Sequence, residues 1–556
     1  MSVTTKVPQN MYVGAVLEAR AGISKALANA SIADTCRKAR ALSPTEWRVD
    51  HPLIKAASRA LIKAGISTGT GFNFYDLRGP AYFLFPINTP FIQMIGKKGK
   101  VNAGVGTAAN WKATRNPNST NVYVGVLEGQ RGPTATPNEI DYFATYKELG
   151  MEGGNTFTSQ FAGEGYTDNL GDEHFRNLAR LRLGEEMMTL LGNSGTGAGN
   201  QGFALGTPTA PVATLAVGGS IANATVCTVA VVAISGMGLN PGGQGGYVPP
   251  PTVTSGLTTT YTVNGADGSV RTQAGGVSHI SALSNSVTTG GGSNSFTATI
   301  PGGAVQGAFA YAWYVSFNNA PTLANSFITA ITNTCNLTLT TTAGQGTQAG
   351  NFAGLSSDNS FAPTDFDGLL TYAMRFGRWV DMAGGTLTPQ GNGLVKEVES
   401  DLQYFWQNFQ VQPDTIWSAV DTRLALDQCI AYSATGTNSY IFMYDKASQG
   451  SMMGGYFVDS YKSKYSMNPT GGAAIPIRMH PMIPLGTIYY DLANNPYPHS
   501  RIPAVREFLA QRDYYSLEWP ITTRSWTYGT YVHEVLAHYM PWVSGIRTGV
   551  GPFVAP

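Results

Sequence analysis

Three short stretches carry residue types at spacings that could do chemistry. His533-Glu534 with His538 comes near the zinc pattern H-E-x-x-H, where two imidazoles one helical turn apart hold a metal and the glutamate activates water. The spacing is one residue too long. On a helix five residues turn by about 140°, and on a strand an odd spacing puts the two rings on opposite faces. A satisfied structural pair is expected. Gly197-Ala198-Gly199-Asn200-Gln201-Gly202 spells G-x-G-x-x-G. A dinucleotide site needs a strand before that motif and a helix after it, because the phosphates sit at the helix N-terminus. Here a helical pattern precedes and FALGTPTAP follows, so the stretch reads as a flexible hinge. Gly65-Ile66-Ser67-Thr68-Gly69 matches a nucleophile elbow, but with a helical pattern before the serine and an extended one after it, the reverse of what the elbow needs. The other histidines form no cluster. Cys36, Cys227, Cys335 and Cys429 lie far apart without C-x-x-C, which speaks against a disulfide scaffold or a zinc site and suits a cytoplasmic thiol state. No catalytic, cofactor or metal site is expected.

The densest basic knot is Lys97, Lys98 and Lys100. Clustered lysines can bind phosphates of nucleic acid. A solvated hairpin base, or contact with an acidic neighbouring subunit, is the preferred reading.

These residues must be positioned by elements that the periodicities outline. Residues 11–40 and 52–64 carry apolar residues three and four apart and read as helices, neither able to form a core alone. An aromatic, proline-punctuated run follows at 70–95. From 96 to about 140 the turn signal RNPNST (115–120) separates two extended runs, with Val122, Val124 and Val126 alternating on the second. A long hairpin with so little apolar content is marginal in water and should lie on something else. YTDNLGDEHFRNLARLRLGEEMMTLLGN (166–193) is the clearest helix, with Phe175, Leu178, Leu181, Met188 and Leu191 near one stripe, acids at its start and Gly192-Asn193 at its stop.

Composition then breaks. Residues 193–357 hold only two charged residues, Asp267 and Arg271. Strand-like pieces recur there: ATVCTVAVVAIS, TTTYTVNG, SFTATIPGG, AFAYAWYVSF and CNLTLTTT. Short strands parted by Gly and Pro turns indicate a β-sandwich. In AFAYAWYVSF the large residues Tyr311, Trp313 and Val315 fall on one face and are expected at the sandwich core. After 358 charge returns. Residues 365–379 and 393–410 read as helices, 412–430 as a strand and a helix, and about 470–556 as strands. The host is α+β and the insert all-β.

The chain has 556 residues, 43% of them hydrophobic, with a net charge of +1. Bulk charge therefore favours neither nucleic acid nor a membrane surface. Charged residues make up 12%, against roughly 25% in an ordinary soluble protein. With 27 Tyr, 24 Phe and 9 Trp, such a chain suits burial against other subunits, though a secreted β-rich protein would share the composition. The start, MSVTTKVPQNMYVG, lacks an apolar h-region, and the longest apolar run, at 226–239, is too short and broken to span a bilayer.

The order of segments, together with DYFATYKELGMEGGNTFTSQFAGEGYTDNLGDEHFRNLARLRLGEEMMTLLGN and the later MHPMIPLGTIYYDL, resembles the major capsid proteins of tailed bacteriophages, which share the Hong Kong 97-like shell fold. The resemblance implies an N-terminal arm at 1–95, an extended hairpin loop at 96–146, and a peripheral domain with its spine helix at 147–192. It further implies an inserted immunoglobulin-like sandwich at 193–357, an axial domain at 358–470 and return strands at 471–556. It implies a shell of hexamers and pentamers around double-stranded DNA, formed in a bacterial cytoplasm. Portal and minor or cement proteins would be partners, with non-specific contact to packaged DNA and no membrane. Lys97, Lys98, Lys100, Trp111, Lys112 and Arg115 would face neighbouring subunits. The first 70 residues would be ordered only by such contacts, and with Met1 present no trimming is expected. The lysine–asparagine crosslink of some relatives finds no matching pair. The insert, nearly uncharged, would project outward. An encapsulin-like compartment shell is the main alternative, and a tail fibre or adhesin with a glycan-binding sandwich the second.

Overall fold

In the computed structural model, the residues described are 89–98, 106–116, 124–134, 136–163, 168–197, 199–240, 251–342, 346, 354–391, 393–432, 458–462, 464–465, 474–497, 504–521 and 523–554. The expected helices at 11–40 and 52–64, residues 70–88, the elbow-like stretch at 65–69, Lys100 and Val122 lie outside them.

A five-residue helix, Pro90–Met94, leads into strand β1 (Gly96–Lys98). Strands β2 (Ala108–Asn116) and β3 (Asn138–Thr145) then pair as an antiparallel hairpin, with Trp111 opposite Tyr142. The second arm is thus not the run around Val124. That run alternates, but residues 124–134 are all exposed, whereas 140–144 alternate Ile, Tyr and Ala inward and so have something to bury. The base of the hairpin also rests on its own chain. Trp111 stacks on Tyr142 at 5.9 Å and donates its Nε1–H to the His538 carbonyl at 3.1 Å, and Tyr142 meets Phe376 edge-on.

Strand β4 (Lys147–Thr156) and a short helix, Phe157–Gly163, precede the long helix Asn169–Leu191. Asp168 caps the long helix by accepting from the Gly171 N–H at 3.2 Å, Asp172 adds charge to its first turn, and Gly192 ends it. Its 23 residues span about 34 Å. The expected stripe holds only in part. Leu181, Met188 and Leu191 are buried, but Phe175 is 59% exposed, and from Glu185 to Leu191 the helix is buried on every side.

The next nine strands are β5 (Val212–Ala216), β6 (Val226–Ile234), β7 (Thr260–Asn264), β8 (Val270–Ala274), β9 (Val287–Thr288), β10 (Ser295–Thr299), β11 (Ala310–Ser316), β12 (Phe327–Thr332) and β13 (Asn336–Leu339). They form sheets ordered β13-β10-β5 and β12-β11-β6-β9, with β7–β8 as a separate hairpin. One core joins the two sheets: Phe296, Ala298, Leu337 and Leu339 from one meet Val229, Val231, Tyr311, Trp313 and Val315 from the other. Trp313 is fully buried and donates Nε1–H to Thr332 Oγ1 at 2.7 Å. The alanine face of β11 is buried as well, because Ala230, Val232, Ala310 and Ala312 are small enough for Val277, Ile280 and Leu355 to lie on them.

The segment that supplies this cover follows a period of three. Ser278, Ser281 and Ser284 donate their backbone N–H to the carbonyls of Ala233, Val231 and Val229. Their Oγ atoms accept from the N–H groups of the same three residues, each at 2.9 Å. Asn285 does the same for β5, pairing both N–H and C=O of Ala213 through its amide at 2.8 Å. The β6 and β5 sides of the two sheets are thereby covered by serine backbone and side-chain groups and by the Asn285 amide, which blunts edges that would otherwise pair with another chain.

The remaining strands are β14 (Arg378–Asp381), β15 (Pro389–Gly391), β16 (Leu394–Val395), β17 (Thr415–Ser418), β18 (Ser460–Lys462), β19 (Ala474–Met479), β20 (Ile488–Asp491), β21 (Arg506–Glu518), β22 (Ser525–His538) and β23 (Gly545–Thr548). A six-stranded mixed sheet runs β14-β23-β20-β17-β19-β18. The helices Lys396–Phe409 and Val420–Ala431 cover it, burying Val398, Leu402, Phe405, Leu426 and Cys429 against Ile416, Ile477, Ile488 and Tyr490. A second sheet, β1-β21-β22-β4, carries the long helix, whose Met187, Met188, Leu190 and Leu191 share a core with Val532, Val535, Leu536 and the helix Leu369–Phe376. The fold is α+β, with the β-rich segment set between the long helix and the Leu369–Phe376 helix.

Candidate assembly surfaces and the charge clusters behind them

β1 is only three residues long, but it runs parallel to β21 and aims Lys97 into the joint between the long helix and the sheet. Lys97 Nζ lies 2.6 Å from Glu534, 3.3 Å from Asp513 and 3.7 Å from Glu185, and over the Tyr514 ring at 4.0 Å. Glu534 and Glu185 are sealed from water. Burial first, and then Glu185, hold the Glu534 carboxyl well above the usual carboxylate range, against the pull of Lys97. Burial lowers the Lys97 ammonium, but the carboxylates outweigh it and its pKa stands above the ordinary value. Both shifts fit one charge state: the lysine is charged and Glu534 keeps its proton. Tyr514 hydroxyl donates to Glu185.

The other residues expected at subunit contacts sit differently. Trp111 is buried in its own chain, as above. Lys98 is 55% exposed with Glu507 at 4.0 Å, and Lys112 is exposed beside Asp141. Arg115 lies in β2, its side chain outside the described residues, and Lys100 is likewise outside. The exposed apolar groups are elsewhere. Val124 and Leu127, in the link between β2 and β3, are 85% and 72% exposed. Leu517 at the end of β21 and Trp519 and Ile521 just after it are exposed, as are Val420 and Leu424 on the second sheet-covering helix, and Leu485.

Sequence periodicity missed three further charge sites. Glu186 receives the N–H groups of Phe91 and Ile92 at 2.9 Å each, and lies 3.1 Å from His480 Nε2, so the long helix anchors the start of the Pro90–Met94 helix. Asp401 takes both Arg378 and Arg547, and Asp491 takes Arg506. The visible signal was GEEMM, two acids inside an apolar run. His533 and His538 do fall on opposite faces, and each has its own surroundings. His533 Nε2 is 2.8 Å from the Tyr515 hydroxyl. Burial, and then Arg506, push buried His538 down to about 3, so it stays neutral. His533 is satisfied as expected, whereas His538 Nδ1 is buried without a hydrogen-bond partner among the described residues.

The glycine run at 195–202 is not a loose hinge. Asp367 accepts from Ser194 N–H, Ser194 hydroxyl and Gln201 N–H at 2.7–2.9 Å. Asn193 bonds Phe203 and Ser360, and Asp358 takes the Gly206 N–H at 2.7 Å. A Cβ on Gly202 would lie 2.1 Å from Asn193 Oδ1, so glycine serves close approach here, not freedom.

No family model matches the chain, and no curated protein does. Solved structures do. The capsid of a native GTA particle is 10% identical over 88% of this chain and 99% of that one, with a TM-score of 0.34. The capsid asymmetric unit of cyanophage A-1(L) is 9% identical over 86% and 97%, with a TM-score of 0.37. The holo-SrpI encapsulin complex from Synechococcus elongatus PCC 7942 is 15% identical over 34% and 59%, with a TM-score of 0.22.

Proposed function

We propose that this chain is the repeating subunit of an icosahedral head shell, a major capsid protein of the tailed-phage kind. The observation that carries this is the link between β2 and β3. Its described residues, 124–134, are all exposed and include Val124, Val126 and Leu127, while the base of the same hairpin is held firmly by Trp111 and Tyr142. An anchored hairpin whose described link exposes three apolar side chains suits a neighbouring copy as its partner, and obligate interfaces of that kind commonly bury about 2,000–5,000 Å2. Low charge and the exposed Leu517, Trp519 and Ile521 at another extremity support the same reading.

On this reading residues 1–95 act as an arm, 96–146 as the reaching hairpin, 147–192 as the peripheral domain, 358–470 as the axial domain and 471–556 as the strands that complete both. The immunoglobulin-like insert, 193–357, projects outward, since two charged residues give it little means of binding DNA phosphates. Copies form hexamers and pentamers around double-stranded DNA, with portal and minor or cement proteins as partners. Lys98 and Lys112 are the exposed basic residues offered to a neighbour.

The test replaces residues 117–137 by a short turn, leaving Trp111 and Tyr142 in place. Electron micrographs and sedimentation of the unaltered protein should show closed shells, and the variant should stay folded but unassembled. Normal shells from the variant would overturn the hairpin assignment. Shells that carry an enzyme cargo and no DNA when isolated from their natural source would favour a compartment.

A further inference from the structure

Two aspartates lie two residues apart on the turn and coil that return from the insert to the host, both almost wholly buried, and they are treated very differently. Asp367 collects the donors of Ser194 and Gln201. Asp365, 3% exposed, receives from the described residues one long hydrogen bond, from Thr364 Oγ1 at 3.4 Å. That same hydroxyl lies 3.1 Å from Gln273 Oε1 on β8 of the insert. A threonine hydroxyl has one proton. It can serve Gln273 or Asp365, not both. Asp365 also borders a narrow crevice lined by Asn193, Tyr261, Gln273, Ser360 and Phe361, so the contested proton sits at the seam between hairpin β7–β8 and the host.

We propose that Asp365 is a proton-operated latch on this seam: protonated, it leaves the Thr364 hydroxyl to hold Gln273, and ionised, it takes that hydroxyl for itself and frees hairpin β7–β8. The groups facing it are Lys147 from β4, Asp367 from its own segment, and Arg271, Gln273 and Tyr261 from the hairpin. Lys147 is already committed to the Pro363 carbonyl at 2.6 Å. Burial first, and then Asp367, push the Asp365 carboxyl up to about 7, against Thr364, Lys147 and Arg271. The sign follows. An acid raised in the folded state holds a proton that the unfolded chain has lost, so ionisation is costly above the ordinary range. The latch is closed in mild acid and opens as pH rises through neutrality.

The test is hydrogen exchange of the full chain, read as protection factors for the peptide 258–276 from about pH 5 to about pH 9, with the β10 and β11 peptides as controls. Protection of the hairpin should fall with rising pH, by up to about tenfold per pH unit across the transition, since one proton is lost on opening. The control peptides should stay flat. Asp365→Asn, which keeps the shape and cannot ionise, should hold protection high at every pH. Thr364→Val should lower it at every pH. A flat unaltered profile overturns the proposal whether or not the variants fold. So does an Asp365→Asn chain that keeps the original profile, or a protection that rises with pH, as it would if the Gln273 amide donated to an ionised Asp365.

Discussion

Lys97 is a positive charge set among three acids, Glu185, Asp513 and the protonated Glu534, two of them closed off from water. Removing it alone, as Lys97→Met, leaves those acids without a cation. Loss of one partner of a buried ion pair costs about 3–5 kcal/mol, which chemical denaturation would read directly. Glu534 gives the complementary experiment. Its folded-state pKa is raised, so the folded chain keeps a proton that the unfolded chain sheds near the ordinary glutamate range. Stability from this group is therefore lost as pH rises from there through the folded pKa. Glu534→Gln should flatten the upper part of the stability–pH curve and be the more stable chain in alkali; an unchanged curve would place the proton elsewhere. At this scale the sequence was legible where geometry follows from spacing alone. The odd interval between His533 and His538 did put them on opposite faces. It was not legible for Glu185, Glu186 and Asp401, because periodicity assigns acids to the outside, and their partners Lys97, His480, Arg378 and Arg547 lie far away along the chain.

Whole elements were read best where a pattern recurs with one period. β6, β10, β11 and β13 fall inside the runs that alternate or are evenly apolar, and the long helix inside its stripe. The alternation at Val124 and Val126 misled, since alternation shows what a strand could bury and not which segment it pairs with. The serine segment had no recognised period at all: three-residue spacing is neither helix nor strand, and its meaning appears only beside β6. It makes a firm prediction. Ser281→Ala keeps the backbone bond to Val231 but orphans the Val231 N–H, buried within the strand, at about 1–3 kcal/mol. Faster exchange across residues 226–234 would report it. The glycine run at the junction supplies a second contrast. Gly202→Ala drives a Cβ into Asn193 and Asp367, while Gly197→Ala meets only the amide end of Asn200 at 3.1 Å. The first should lower the melting temperature clearly and the second hardly at all; equal tolerance would restore the loose-hinge reading.

At the scale of the molecule the question is whether the β-rich insert is a passenger or a part. Its strands pair among themselves and its core, centred on Trp313, is its own, so Trp313→Ala should cost the insert about 3–5 kcal/mol. Its ends also nearly meet, with the Gly206 N–H on Asp358. Both facts favour independent folding of an excised insert. Two others oppose full independence. Met237 and Phe309 belong to the host core, beside Leu191 and Met374, and Gln306 donates to the Met374 carbonyl at 2.7 Å. Asn336 reaches the Ala383 carbonyl on the far side, at 3.1 Å. An insert joined through a shared core transmits its state to the long helix that ends at that core, which a tethered bead would not. Calorimetry separates the two cases. If the seam couples them, the intact chain should melt at a higher temperature than a host in which residues 207–357 are replaced by a short glycine link, and Trp313→Ala should shift the host transition as well as that of the insert. Two transitions in the intact chain that simply superpose those of the separate pieces would mean that the clasp at Asn193, Asp358 and Asp367 joins the two without coupling them.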